Sequence, residues 1–277
     1  MSNALSTAQT PVNCRSVVVL GATEGCGGTT LAVNLAVELA RLLNHHCILG
    51  EQAVSFGRLA NLLRISPHLT LYDLVSDPGL NAEEMRKALT KIDDNLSVLV
   101  GSYLTVRPFT ITPEIAFKVL ECTLQLAKTV IVDARHNFDD VDFEFASNVE
   151  HLVLVGKPTM SALRCLRTLV ETFARRGTAG KRYVVINQFQ PNHEVSSKDA
   201  IERFLDVPDV ILVRADAEAV EAAENSGKLL RDLYPDRPVV KDIASLARTM
   251  LGLSPEPAAR PGMRQWLELI PGLVKRD

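Results

Sequence analysis

The sequence predicts an α/β protein with a doubly wound, mostly parallel sheet of about seven or eight strands. Short, continuously apolar runs recur along almost the whole chain of 277 residues. Segments with apolar residues at helical spacing separate most of these runs, and a glycine-rich turn joins the first run to the first helical segment. Because strands that alternate with helices connect through right-handed crossovers, we expect parallel strands covered by helices on both faces.

Each predicted strand is an apolar run typical of a strand that is buried on both faces. In order, the strands are Ser16–Leu20, Cys47–Leu49, Leu96–Val100, Thr129–Val132, His151–Val155, Tyr183–Ile186 and Val210–Val213. The predicted helices are Thr29–Leu43, Pro113–Ala127, Thr159–Arg176, Ser197–Leu205, Ala217–Asn225 and Val239–Leu251. We assign residues 14–252 to one domain, and residues 253–277 to a flexible connector and a short amphipathic tail.

Composition and charge exclude several classes of protein. A hydrophobic share of 47% and ordinary glycine and proline contents exclude a disordered or collagen-like chain. No apolar run has the roughly 18–20 residues that a membrane span needs, and the first ten residues do not form a secretory signal. The net charge of −3 does not favour nucleic acid as a partner. The five scattered cysteines indicate reduced thiols and a cytoplasmic protein.

The first strand leads into a glycine-rich segment, Gly21-Ala-Thr-Glu-Gly-Cys-Gly-Gly-Thr-Thr30, which precedes a helix. Glycines permit tight turns, and the free N–H groups at a helix N-terminus favour a bound anion. A strand–helix turn that binds nothing is the plainest alternative. The glycine spacing does not fit the dinucleotide fingerprint G-x-G-x-x-G.

The spacing of Gly21, Gly25 and Gly27 also resembles that of short-chain dehydrogenases, in which Glu51 would hold a ribose. That family requires a Tyr-x-x-x-Lys pair. No lysine stands four residues after any of the tyrosines, which are Tyr72, Tyr103, Tyr183 and Tyr234. An oxidoreductase of this kind is therefore the third hypothesis for the function.

The sequence Gly28-Thr29-Thr30, followed by Leu-Ala-Val-Asn-Leu-Ala, resembles the deviant Walker A motif of the MinD/ParA family of P-loop ATPases, K-G-G-x-G-K-T-T. On this pattern the family's signature lysine falls on Thr23 and its phosphate-binding lysine falls on Gly28. Thr29 matches the magnesium-binding position, and Thr30 matches the neighbouring threonine. Glu24 would bring a negative charge towards the phosphates.

The resemblance continues after the second predicted strand. Glu51–Leu63 and His68–Leu74 look like the D-x-D-x-x-F-G-x-x-A-x-x-L and T-L-x-D-L stretches of the CpaE/TadZ branch, the pilus-assembly relatives of MinD. The two family aspartates fall on Glu51 and Ala53. The second of these aspartates helps to position magnesium and the attacking water in the family, and Ala53 can do neither.

Three later segments continue the likeness, which spans about residues 14–252. Thr129–Asp133 resembles the Walker B strand, with Asp133 at its end. Tyr183–Asn187 resembles the strand whose terminal asparagine recognises adenine, which an amide suits because it both donates and accepts. Val213–Leu230, which contains Asp216, resembles the segment near the base pocket.

The resemblance implies a site for ATP or ADP with Mg²⁺, and a nucleotide-free protein is the alternative. The cofactor-binding residues it implies are Gly25, Gly27, Gly28, Thr29, Thr30, Asn187 and Asp216. Thr29 and Asp133 are the candidate magnesium ligands. Removing one charge-stabilising group typically lowers a rate by about two to three powers of ten. With both lysines and a switch aspartate missing, we expect a pseudo-ATPase with negligible hydrolysis.

We therefore predict a non-hydrolysing or weakly active scaffold or localisation factor for Flp/Tad-type pilus assembly. The alternative is a working MinD/ParA-class ATPase that receives its cations from elsewhere. The resemblance implies a homodimer joined through Gly25–Thr30, Glu51–Phe56 and Asp133–Phe138, with pilus or secretion proteins as partners. In the tail, Met263–Ile270 forms an amphipathic helical pattern that either packs on protein or contacts the inner membrane, at its cytoplasmic face or at a cell pole.

Overall fold

The computed structural model describes residues 14–53, 57–76, 79–102, 111–134, 138, 140–191 and 197–254. Within these ranges the chain forms the predicted α/β fold around one eight-stranded sheet. The strands are β1 (Ser16–Gly21), β2 (Cys47–Glu51), β3 (Leu89–Lys91), β4 (Leu96–Leu99), β5 (Thr129–Ala134), β6 (His151–Gly156), β7 (Lys181–Phe189) and β8 (Ile211–Arg214). The helices are α1 (Gly28–Leu43), α2 (Leu59–Leu62), α3 (Leu71–Val75), α4 (Ala82–Ala88), α5 (Pro113–Leu126), α6 (Asp140–Ser147), α7 (Met160–Arg176), α8 (Lys198–Leu205), α9 (Ala217–Ser226), α10 (Leu230–Leu233) and α11 (Pro238–Met250).

The strand order is β3-β4-β2-β5-β1-β6-β7-β8, and every neighbouring pair except β3 and β4 is parallel. β1 lies between β5 and β6, so the chain leaves the centre of the sheet towards one edge and later returns to build the other. Ligands of open α/β sheets bind where the strand order reverses, outside the carboxyl ends of the strands. This topology places the glycine-rich segment after β1 at that position.

The two faces of the sheet pack against different helices. Val17 and Val19 of β1 belong to a core cluster with α1 and α11, whereas Val18 and Leu20 belong to a second cluster with α5, α6 and α7. This alternation follows from the two-residue period of a strand. Helix α1 is buried continuously from Leu31 to Ala40. It therefore holds the glycine-rich segment on a rigid support.

Between β2 and α5, the sequence predicts β4 but not α2, α3, α4 or β3. Strand β3 has only three residues and pairs antiparallel with β4 at the edge of the sheet. Helix α3 is stabilised by a capping box between Thr70 and Asp73, and the Asn81 side chain accepts hydrogen bonds from two N–H groups of α4. These elements depend on caps and pairing, so hydrophobic periodicity does not indicate them.

Three sequence predictions fall wholly or partly outside the described residues. They are the tail pattern Met263–Ile270, the second half of Glu51–Phe56, and residues 135–137 of the third dimer segment. The division between the domain and the tail at residue 252 stays a prediction. Among the described helices, none combines the length and the apolar character that a membrane span requires.

Candidate functional site

A cleft of about 1020 Å³ opens at the carboxyl end of the sheet. Its walls are the glycine-rich segment, the carboxyl ends of β5, β7 and β8, the residues that follow β6, and parts of α2, α9 and α11. The volume is at the upper end of the roughly 300–1,000 Å³ that small-molecule sites occupy. All seven predicted cofactor-binding residues and Asp133 line this cleft.

The backbone of the glycine-rich segment is shaped to receive an anion. Gly25 and Gly27 have φ angles of +68° and +82°, which side-chain-bearing residues rarely adopt. Gly27 is the N-cap of α1, and no side chain caps the helix there. The N–H groups of the first helical turn have no partner within the helix, so they are available to a bound anion.

Two amide side chains from the end of β7 hold the segment in place. Asn187 Nδ2 donates a hydrogen bond to the carbonyl oxygen of Cys26 (2.9 Å), and Gln188 Nε2 donates to the carbonyl oxygen of Gly25 (3.1 Å). A Cβ atom added to Gly27 would lie only 2.3 Å from Asn187 Nδ2. Asn187 thus positions the glycine-rich segment, a role that the sequence does not reveal. A contact between Asn187 and adenine stays a prediction.

The two candidate magnesium ligands lie together. Asp133 at the end of β5 is 8% exposed, and it accepts a hydrogen bond from the Thr29 side chain. Burial, aided by the negative charge of Glu51, raises the pKa of the Asp133 carboxyl to about 7. A divalent cation would favour the ionised form. Among the described residues, no group of three or more His, Cys, Asp or Glu side chains could hold a metal, so a cation here would need oxygens from a ligand as well.

Glu51, which aligns with a family aspartate, has its carboxylate directed at the backbone. It is 2% exposed and lies in register with Asp133 on the neighbouring strand. Its Oε1 accepts hydrogen bonds from the N–H groups of Arg58 and Leu59, and its Oε2 accepts one from Gly101 (3.1 Å). Burial raises the pKa of Glu51, and these N–H groups oppose the rise. Glu51 therefore joins the segment after β2 to the segment after β4.

These two backbone segments approach each other closely beside Ala53. A Cβ atom added to Gly57 would lie 2.3 Å from the carbonyl oxygen of Ser102, and one added to Gly101 would lie 1.9 Å from the carbonyl oxygen of Ala53. Only glycine fits such contacts. Ala53 itself is partly buried and brings no charge to the cleft.

Thr30 and Asp216 make contacts within the protein. Thr30 Oγ1 donates a weak hydrogen bond to Glu224 Oε1 of α9 (3.3 Å). Asp216 is the N-cap of α9, where it accepts a hydrogen bond from the Ala219 N–H, and its Oδ2 lies 3.5 Å from Arg237 Nε. Both residues therefore fix the wall of the cleft around α9. Contacts of either residue with a cofactor stay predictions.

A lysine that the sequence analysis did not identify lies at the glycine-rich segment. Lys157 directly follows β6, and a Cβ atom added to Gly25 would lie 3.9 Å from its Nζ. The signal available in the sequence is a lysine immediately after a buried apolar run. That signal becomes informative only once β6 is known to be the neighbour of β1.

The raised pKa of Asp133 makes a pH-dependent contribution to stability. A carboxyl group whose pKa is higher in the folded protein stabilises the fold at low pH, and this stabilisation is lost as the pH rises towards the folded pKa. Without metal or nucleotide, we expect about 1.4 kcal/mol of this contribution to be lost per pH unit between about pH 5 and 7. In Asp133→Asn this loss should be absent. Urea unfolding of both proteins across that range measures the difference, and parallel pH profiles would contradict it.

The chain resembles known proteins along most of its length. No protein-family model matches it. It is 22% identical over 263 residues to an uncharacterised ATP-binding protein of Methanocaldococcus jannaschii, covering 94% of this chain and 97% of the relative. The crystal structure of a ParA family ATPase from Chlorobium tepidum superposes with a TM-score of 0.73 at 19% identity, covering 84% of this chain and 98% of that one.

The septum site-determining protein MinD of Pyrococcus horikoshii, in complex with Mg-ADP, superposes with a TM-score of 0.67 at 18% identity. This match covers 85% of the chain and 95% of that structure. The order of the strands, the glycine-rich segment after the central strand and these superpositions agree: the chain has the fold of the MinD/ParA P-loop ATPases.

Proposed function

We propose that this protein binds ADP or ATP with Mg²⁺, hydrolyses ATP negligibly, and acts as a dimeric scaffold or localisation factor. The observation that carries the proposal is the composition of the cleft. The glycine-rich segment, the uncapped start of α1 and the Thr29–Asp133 pair are present. Gly28 and Ala53 stand where the resembled family has a lysine and an aspartate.

The described residues fit a magnesium nucleotide. The N–H groups around Gly25, Gly27 and Gly28 would hold the phosphates, and Thr29 and Asp133 would hold the cation. Asn187 and Asp216 also line the cleft, and the resemblance assigns them to the base pocket. When bound, Mg²⁺ would neutralise phosphate charge. Phosphoryl transfer also needs positioned cations and a group that orients water, and the positions of Gly28 and Ala53 supply neither.

The pilus assignment is the finer part of the proposal, and the likeness of Glu51–Leu74 to the CpaE/TadZ branch supports it. In that role the protein would form a homodimer across its nucleotide face and contact pilus or secretion proteins at the inner membrane. A strain that lacks the protein should then fail to assemble Flp/Tad-type pili. Normal piliation in that strain would contradict this part of the proposal.

A working ATPase is the second candidate, and two cations in the cleft favour it. Lys157 lies beside Gly25, and the positive charge of Arg58 acts on the Asp133 carboxylate. In this second candidate, these two groups would stabilise the charge of the phosphates in place of the lysines of the motif. The rate of phosphate release from ATP separates the two candidates.

Calorimetric titration with Mg-ADP and Mg-ATP tests the proposed function. We expect binding by the wild type and its loss in Gly27→Ala, because alanine would be strained at φ +82° and would displace Asn187. Gly177→Ala is the matched control, since Gly177 has a similar φ of +80° with no atom within 4 Å of an added Cβ. No heat with the wild type would contradict nucleotide binding. Light scattering on the same samples shows whether a dimer forms with or without nucleotide.

A further inference from the structure

The position of Lys157 results from the sheet topology. Residues Val17–Gly21 of β1 pair with His151–Val155 of β6, so the residue after β6 reaches the turn that follows β1. The Nζ atom of Lys157 lies 3.9 Å from the position of a Cβ atom on Gly25. Its side chain is partly buried. The ammonium group thus lies beside Gly25 of the glycine-rich segment, where bound phosphates would lie.

Two of the three other described cations that line the cleft, Arg214 and Arg58, interact with carboxylates. Arg214 forms two hydrogen bonds with the Asp242 carboxylate, at 2.6 and 2.8 Å. The alkyl chain of Arg64 packs over Gly227, beyond the carboxyl end of α9. The positive charge of Arg58 acts on the Glu51 and Asp133 carboxylates.

Lys157 differs from Arg214 in having no carboxylate partner among the described residues, and its charged atom lies beside Gly25 of the glycine-rich segment. In the described part of the chain, no carboxylate lies within ion-pair distance of its Nζ. An ammonium group without a carboxylate partner keeps its hydrogen bonds available to an anionic ligand.

The charge of the lining makes this lysine important. Among the described residues, the cleft has four cationic side chains, Arg58, Arg64, Lys157 and Arg214, and five carboxylates, Glu24, Asp133, Asp216, Glu221 and Glu224. Such a lining has no formal excess of positive charge, so a cation placed at the phosphates themselves matters for binding a polyphosphate. The motif positions Thr23 and Gly28 are neutral. A flexible lysine with three donors suits a phosphate at this place.

We infer that Lys157 replaces the missing motif lysines and binds the β-phosphate of a nucleoside di- or triphosphate within the same chain. This inference rests on the proposed nucleotide binding. The contact with Lys157 gives the cleft a preference for ADP over AMP, because AMP lacks the second phosphate and does not extend to the Lys157 ammonium group. Lys157 directly follows β6, the neighbour of β1, so the glycine-rich segment itself need not supply a cation.

Binding of ADP and AMP to four proteins tests the inference: the wild type, Lys157→Ala, Lys157→Arg and the control Lys118→Ala. Lys118 pairs with Glu121 on exposed α5, away from the cleft. A hydrogen bond to a charged group contributes enough that Lys157→Ala should weaken ADP binding by about 10- to 100-fold. Its effect on AMP should be severalfold smaller, and Lys157→Arg should recover most of the ADP affinity. All four proteins should melt at the same temperature without nucleotide.

The outcomes separate this inference from the proposed function. If the wild type does not bind ADP, both are wrong. If the wild type binds ADP and Lys157→Ala binds it equally well, only the role of Lys157 is wrong. The role is also wrong if Lys157→Ala weakens ADP and AMP by the same factor or lowers the melting temperature without nucleotide, because either result indicates a structural role.

Discussion

Glu51→Ala is expected to lower the free energy of unfolding by about 5 kcal/mol, because leaving a buried N–H group without an acceptor costs about 1–3 kcal/mol. The variant would remove the acceptor of two buried N–H groups, those of Leu59 and Gly101, and of the partly buried N–H group of Arg58. A cavity would add to the loss, since the side chain is 2% exposed. Urea unfolding of the nucleotide-free protein measures the difference.

Two further variants show whether the three hydrogen bonds account for the loss. Glu51→Gln keeps one oxygen for the N–H groups of Arg58 and Leu59 but turns an amide NH₂ towards the Gly101 N–H, so an intermediate loss is expected. Glu121→Ala removes a carboxylate from an exposed pair with Lys118, which should change stability by less than about 1 kcal/mol. Equal stabilities of Glu51→Ala and Glu121→Ala would contradict a structural role for Glu51.

Because its carboxylate is used to hold the backbone, Glu51 takes no direct part in the chemistry of the cleft. A carboxylate that accepts three backbone hydrogen bonds has little capacity left for a metal or for water. The close approaches at Gly57 and Gly101 further restrict the backbone around Ala53. Ala53, which stands at the position of the family's switch aspartate, therefore lies close to a buried structural carboxylate and to closely packed glycine backbone.

The main strands and long helices could be predicted from the sequence because burial imposes a regular pattern on them. The run Ser16–Leu20 has no polar residue after its first position, since β1 is covered on both faces. Helix α4 carries no such pattern; the Asn81 cap fixes its start. Strand β3 exists only through its pairing with β4. Elements whose stability comes from a cap or an edge contact leave too weak a signal in the sequence.

In the candidate site, too, some residues could be predicted from the sequence and others could not. The glycine-rich segment and Asp133 could be predicted because each belongs to a local motif beside a strand. Lys157 could not, because its position depends on the pairing of β1 with β6, whose residues are more than 100 positions apart in the sequence. The hydrogen bond from Asn187 to Cys26 likewise joins residues 161 positions apart. Contacts between distant segments become visible only once the strand order is known.

The missing motif residues lead to the largest expected change in activity. Gly28→Lys alone should leave ATP turnover near the wild-type level, whereas Gly28→Lys combined with Ala53→Asp should raise it by about two to three powers of ten. The lysine restores only the stabilisation of the phosphate charge. The aspartate restores the group that positions magnesium and water in the resembled family. Phosphate release under single-turnover conditions measures both proteins.

The structure accommodates both substitutions. A Cβ atom on Gly28 would meet the Gly21 Cα at 3.5 Å, which is an ordinary contact, and Ala53 is only partly buried. Gly28→Met with Ala53→Asn is the matched control, because it has similar bulk without either charge, and it should stay inactive. A large gain from Gly28→Lys alone would contradict the argument, since it would mean that the missing lysine was the sole obstacle.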